Sequence, residues 1–347
     1  MSKTFRLLVL ALVAAFALGM VACGSDDSGG GDNGNGSGGT QAKSIKAGLV
    51  TDIGGLNDRS FNFLANKGRK EAQAKLGLDT RVLISSKAGD YIPNLTTLAQ
   101  QKYDLIIANG FLMADALNTV ASKLPQSQFA IIDYSAPALK DKPTNVEGLL
   151  FKEQEAGYLA GYLAGLWAKD NGAKAVSSVG GQDIAPVQHY IAGFQAGAKK
   201  AYPGIETLNA YSQDFVDQAK CKEIALDQIA KGSKVIFQVA GGCGLGALDA
   251  AKQKGVQGIG VDADQSYLGD HILTSALKRV DVAVFDAIKR AQEGKFKGGT
   301  DVIHDLTNNG VGLGKISPAG QKYADQVKQV QDQIVAGEIK DIPDTVK

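Results

Sequence analysis

The chain has 347 residues, enough for two domains at roughly 100–200 residues each. Its 44% hydrophobic fraction supplies real cores and excludes wholesale disorder. With 37 Lys+Arg against 36 Asp+Glu there is no basic excess to suit nucleic acid, and three Cys and three His leave little for a metal cage.

The N-terminus reads as an address. Lys3 and Arg6 precede an uncharged apolar run over 7–20, too short for a comfortable membrane span and right for a signal-peptide core. Met20-Val21-Ala22-Cys23 follows and resembles a lipobox, with Met20 where Leu is usual. Cleavage before Cys23 would leave a lipidated thiol and a membrane-held protein on the extracytoplasmic side. Residues 1–22 are therefore expected to be lost, and 23–43, rich in Gly, Ser, Asp and Asn, to act as a flexible tether. Taking Lys3 and Arg6 from the 37 basic residues leaves 35 against 36 acidic ones, and the compartment permits disulfides.

From residue 45 the pattern alternates strand and helix. Strands are expected at 45–50, 81–85, 105–109, 129–133 and 146–151. Helices are expected at 61–76, with Ser60 as N-cap, and at 95–102 and 114–123. The pattern then restarts. Helices are expected at 154–169, 186–201, 218–231 and 245–254, with strands at 175–179, 206–211, 235–239 and 257–261. A strand at 272–277, a helix at 280–294, a strand at 302–304 and a helix at 321–336 close the chain. Gly157, Gly161 and Gly165 suit close helix packing, and Trp167 lies on an apolar face.

Such alternation predicts an α/β protein with parallel sheets covered on both faces. About ten strands and the restart near 147–154 predict two doubly wound lobes. The expected division is 44–147 plus 272–300 for lobe 1, and 148–271 plus 301–347 for lobe 2. Ligands of open α/β sheets bind beyond the carboxyl ends of strands, so the loops there, facing each other across a cleft, are where function is sought.

The richest loop is 51–62, reading T-D-I-G-G-L-N-D-R-S-F-N. Gly54 and Gly55 permit close backbone approach. Asp52 offers a carboxylate, Asn62 an amide that donates and accepts, and Phe61 a flat apolar face. A capped strand–helix turn with Phe61 in the core is the plainer alternative.

This loop resembles the signature of the basic-membrane-protein family of lipoproteins, the purine nucleoside receptor A group. So do F-K-E-Q-E-A-G-Y-L-A-G from Phe151, V-G-G-Q-D-I from Val179 and V-A-G-G-C-G-L-G from Val239. G-V-D-A-D-Q from Gly260 and L-T-S-A-L-K-R-V-D from Leu273 match as well. The resemblance spans about 45–315. It implies a type I periplasmic-binding-protein fold whose lobes close on a ligand about a hinge, and a solute-binding role in an ABC importer. It implies a nucleoside ligand, a permease and separate ATPase as partners, no cofactor and no turnover. Carried over, Phe61 and Phe215 would sandwich the base, with Asp52 and Asn62 as its polar neighbours and Asp133 a weaker candidate. Gly241 would be a backbone contact, and Asp262 with Lys278 would hold the ribose, Lys278 neutralising Asp262. Core packing for Phe215 and an interlobe salt bridge for Asp262–Lys278 are the alternatives. The family commonly has Gly where Cys221 stands and Thr or Ser where Cys243 stands. Adjacent strands would bring these two helix starts together, so a Cys221–Cys243 disulfide is expected.

Three other readings remain in view. Gly242-Cys243-Gly244-Leu245-Gly246-Ala247 fits a dinucleotide fingerprint, with Asp262 where a ribose acceptor would stand. Export, a late position in the chain and the lack of a nearby His, Lys or Tyr weigh against an NAD enzyme. A sugar or autoinducer receptor of the same fold would tolerate loss of Phe61, and a sensor partner would feed no permease. His189, His271 and His304 are dispersed, with no metal-ligand spacing, and no catalytic or metal residue is expected.

Overall fold

A computed structural model describes residues 43–346. The expected signal peptide, the anchor Cys23 and the tether up to residue 42 lie outside the described residues.

The chain begins with β1 (Lys46–Val50), α1 (Phe61–Leu76), β2 (Asp79–Leu83), α2 (Tyr91–Gln100), β3 (Leu105–Ala108), α3 (Ala114–Lys123), β4 (Gln128–Ile132) and β5 (Val146–Phe151). The same alternation recurs in α4 (Glu153–Asp170), β6 (Ala175–Gly180), α5 (Ala185–Ala201), β7 (Glu206–Tyr211), α6 (Gln218–Ala230), β8 (Ser233–Val239), α7 (Gly241–Lys254), β9 (Gln257–Asp262) and β10 (Ile272–Lys278). It ends with α8 (Val280–Gln292), β11 (Thr300–His304), β12 (Val311–Leu313) and α9 (Ala324–Val335).

Two six-stranded sheets result, ordered β11-β5-β4-β3-β1-β2 and β12-β10-β9-β8-β6-β7. Among the described strands only β12 runs antiparallel to its neighbour, β10. The central strand β3, Leu-Ile-Ile-Ala, is buried at every position, as a strand covered by helices on both faces must be. The two sheets repeat one order, so β4 of the first matches β9 of the second.

This order corrects the expected lobe division. Strand β10 belongs to the second sheet and β11 to the first, and the boundary at 147 would cut β5 in two. The chain changes lobes between β5 and α4, between β10 and α8, and between β11 and β12. Lys152 and Arg279 are the whole of the first two connections. Neither carries a Gly, Pro or Ser cluster, so in sequence these crossings look like ordinary strand–helix turns.

Close helix contacts complete the lobes. A methyl group at Gly161 of α4 would overlap the Phe194 carbonyl of α5, and one at Gly68 of α1 would overlap the Asp281 carbonyl of α8. Helix α8 thus covers the first sheet even though β10, one residue before it, lies in the second. Trp167 is partly buried against the core. The last helix starts at Ala324, after a short 3₁₀ turn over Gln321–Tyr323.

Candidate ligand-binding cleft

The eight residues singled out as ligand contacts all line one cavity between the lobes: Asp52, Phe61, Asn62, Asp133, Phe215, Gly241, Asp262 and Lys278. Each comes from a strand's carboxyl end, the loop beyond it or the helix start that follows.

The β1–α1 loop is held by its own polar groups. The Asn62 Oδ1 accepts from the Asp52 amide at 3.0 Å and from Asn109 Nδ2 at 2.8 Å, while its Nδ2 donates to the Ile53 carbonyl at 3.1 Å. Asn62 therefore braces the loop as well as facing the cavity. Asp52 receives the Ile53 amide (2.7 Å) and the Tyr91 hydroxyl on a single oxygen, Oδ1. Its Oδ2 lies over Gly110, whose backbone at φ 139 leaves room that a side chain would take. Burial pushes the Asp52 carboxyl up to about 6, with the Tyr91 and Ile53 bonds opposing it.

Ser60 stands at the N-cap of α1, but its hydroxyl does not cap the helix. It donates instead across the cleft to Asp262 Oδ2 at 2.5 Å. Asp58 does the capping, accepting the amides of Ser60 (3.1 Å), Asn62 (2.7 Å) and Phe63 (3.0 Å). Phe61 follows, partly buried at the helix start. From the other lobe comes Phe215, in the loop between β7 and α6, packed so closely on Gly181 that a methyl group there would overlap its ring. Gly241, at φ 53, opens α7 beside the Phe215 carbonyl.

The cavity floor is a cluster of buried charges. Asp133 follows β4 and Asp262 ends β9, the matching strands of the two sheets. Both adopt left-handed backbone, φ 68 and φ 60, which Asp tolerates better than most residues. Lys278, at the end of β10, binds Asp133 Oδ1 at 2.6 Å and Glu153 Oε1 at 2.8 Å. The direct ion-pair partners of Lys278 are thus Asp133 and Glu153, with the expected Asp262 farther off but still within reach of its charge. Geometry explains this: Glu153 opens α4 directly beneath the ammonium, a position no spacing in the sequence reveals. The other Glu153 oxygen meets His189 Nδ1 at 3.1 Å. Burial alone would discharge Lys278, but Asp133, Glu153 and Asp262 together hold it above its ordinary range. Burial also raises Asp262 and Asp133, with Lys278 offsetting part of both. Lys278 also lies 5.3 Å from the Phe61 ring centroid and 4.9 Å from that of Phe151.

Sequence reasoning missed Asp58, Phe111 and Tyr190, which also line the cavity. Asp58 was inside the quoted loop motif, and Phe111 follows β3 where ligands are expected. Tyr190 lies inside α5 and carries no such signal; its hydroxyl reaches Asp262 Oδ1 at 3.3 Å.

The fingerprint at 242–247 forms the first turns of α7 and has its own employment. The Cys243 amide donates to the Phe215 carbonyl at 3.0 Å, and a methyl group at Gly246 would overlap the Gln218 carbonyl of α6. Its glycines let α6 and α7 touch, and an amide that a pyrophosphate would need is already used. Cys221 and Cys243 are joined by a disulfide with Cα atoms 5.6 Å apart.

Chemically, the site offers four aromatic rings, Phe61, Phe111, Tyr190 and Phe215, and a surplus of acceptors. Four carboxylates, Asp52, Asp58, Asp133 and Asp262, line it with one ammonium already bound to two acids. Such a site suits a neutral ligand with a flat ring and several O–H or N–H donors.

Two parallel-sheet lobes around such a cleft define the class of solute-binding proteins. A solved structure described as an ABC transporter system solute-binding protein from Aeropyrum pernix K1 is similar at TM-score 0.77 and 28% identity, over 86% of this chain and 94% of that one. The family model for PnrA-like ABC transporter substrate-binding proteins, Bmp, matches residues 45–345, and the chain belongs to this family. It is 35% identical to the ABC transporter nucleoside-binding protein BmpA of Lactococcus lactis subsp. cremoris, over 94% of this chain and 97% of that protein. It is also 35% identical to an uncharacterised lipoprotein of Pyrococcus abyssi, over 88% of this chain and 76% of that protein. The chain is therefore a substrate-binding component of an ABC transporter and not an enzyme. Among the described residues no helix is long and apolar enough to cross a membrane.

Proposed function

We propose that this protein is a lipid-anchored extracytoplasmic receptor that binds a purine nucleoside between its lobes and delivers it to a permease driven by a separate ATPase. The observation that carries this reading is that one phenylalanine from each lobe, Phe61 and Phe215, lines the same cavity as the acids Asp133 and Asp262. Stacking on two rings suits any flat base, and the acids suit the vicinal hydroxyls of a ribose. Asp262 takes the sugar hydroxyls, and Lys278 fixes Asp133 and offers its remaining hydrogen to the ligand. Asp52 meets the base edge through Oδ2, with Asn62 holding the loop that presents it. Cys23, outside the described residues, carries the lipid, and the tether lets the body reach the permease. The similarity to a nucleoside-binding relative over almost the whole chain supports the ligand class.

Calorimetry on ligand-stripped protein tests this. Adenosine, guanosine or inosine should bind one per chain, and Phe61→Ala should weaken binding roughly 5- to 150-fold, the value of about 1–3 kcal/mol per stacked base. Heat from a pentose but none from any nucleoside would overturn the reading.

A further inference from the structure

The disulfide closes a small ring around the Phe215 backbone. Cys221 follows Phe215 by six residues, in the first turn of α6. Its partner Cys243, in the first turn of α7, donates its own amide back to the Phe215 carbonyl at 3.0 Å. The path from Phe215 through 216–221, across the sulfurs and back through that hydrogen bond is closed on itself. Cys243 Sγ also touches Ser212 Oγ at 3.5 Å, at the other end of the same loop. Both cysteines are fully buried in an apolar cluster of α6, α7 and β6. The loop is also braced locally, by the Ser212 and Gln213 amides donating to the Gly180 and Gly181 carbonyls at 2.9 and 2.8 Å and by Asp214, whose Oδ1 accepts the Val216 and Asp217 amides at 2.8 and 3.0 Å. The disulfide and the Cys243 amide tie it to α7. Its Gln213 sits at φ 54 and Val216 is 53% exposed, while the Phe215 ring packs closely on Gly181. Loops of this kind are mobile unless tied, and ordering one on binding costs affinity.

We propose that Cys221 and Cys243 are positioning residues for the ligand: their bond holds the Phe215 ring in its stacking pose before the ligand arrives. The inference rests on the reading that Phe215 stacks on the bound base. A preorganised ring lengthens the residence of the ligand, because the loop cannot peel away as the first step of release. A purely structural bond would change stability and leave the site's kinetics alone.

The test is stopped-flow and calorimetry with inosine on Cys221→Ala/Cys243→Ala, Phe215→Ala, Phe61→Ala and their combinations, all in the full chain. The alanine pair should release inosine about tenfold faster with an unchanged association rate. The same tenfold loss should persist with Phe61→Ala and vanish with Phe215→Ala. If the alanine pair does not fold, the single variant Cys243→Ser, which breaks the bond while changing one buried side-chain atom, gives the same kinetic reading. Unchanged release on losing the bond, with Phe215→Ala still weakening binding, overturns the positioning role alone. A loss that survives intact in the Phe215→Ala background also overturns it. Phe215→Ala binding inosine as tightly as wild type overturns the stacking reading on which it stands.

Discussion

Replacing Asp52 by Asn separates the stability of this protein from its binding. The Asp52 carboxyl receives both of its hydrogen bonds on Oδ1, so the Asn oxygen can keep them while the amide nitrogen takes the place of Oδ2, which lies over Gly110. Burial raises the carboxyl from 3.8 to about 6 in the folded chain. The folded state then binds more protons than the unfolded state between those two values, so this group makes stability fall as pH rises through the window. Above it the full penalty is present, about 3 kcal/mol for a rise from 3.8 to about 6. Ligand-free Asp52→Asn should therefore be more stable than wild type by about that much at pH 8, and the gain should shrink toward zero at pH 4. Urea unfolding of ligand-stripped protein across this range measures it. The same substitution should weaken inosine binding, since a donor replaces an acceptor at the base edge. Parallel stability profiles for the two proteins from pH 4 to pH 8 would refute the reasoning.

Lys278→Met should destabilise the fold by about 3–5 kcal/mol, because it leaves Asp133 and Glu153 buried without their counter-ion. The loss, read from urea midpoints, should be smaller at pH 5 than at pH 8, where the raised Asp133 is charged. Nucleoside monophosphates should compete with inosine at least about 100-fold more weakly than the nucleosides, since the cavity's acids outnumber its one committed ammonium. Gly161→Ala should lower stability by about 1–3 kcal/mol as α4 is pushed off α5, with inosine affinity per folded molecule unchanged.

Much of the fold was legible because each signal was local. The apolar runs of β1, β3 and β5 and the helical spacing of α1 and α3 mark their elements to within a residue or two. The lobe exchange was not legible, because a crossing made by Lys152 or Arg279 alone uses no special residue. The three-residue β12 is too short to carry a period and is defined by its pairing with β10. At the site, loop residues such as Asp52 and Phe61 stand out by type and position. The electrostatic partners do not. Glu153 and Asp133 are remote from Lys278 in sequence, and only the topology that brings α4, β4 and β10 to one point reveals their pairing. Ser60 likewise has the residue type of a helix cap, yet Asp58 accepts the first helix amides in its place and the Ser60 hydroxyl donates to Asp262 across the cleft.

A crystal structure of the protein with inosine bound tests the central claim most directly. The account predicts the hypoxanthine ring lying between the Phe61 and Phe215 rings, its ribose hydroxyls on Asp262 and its edge toward Asp52. A base seated anywhere else, or both rings packed into their own lobes with the ligand clear of them, would contradict it.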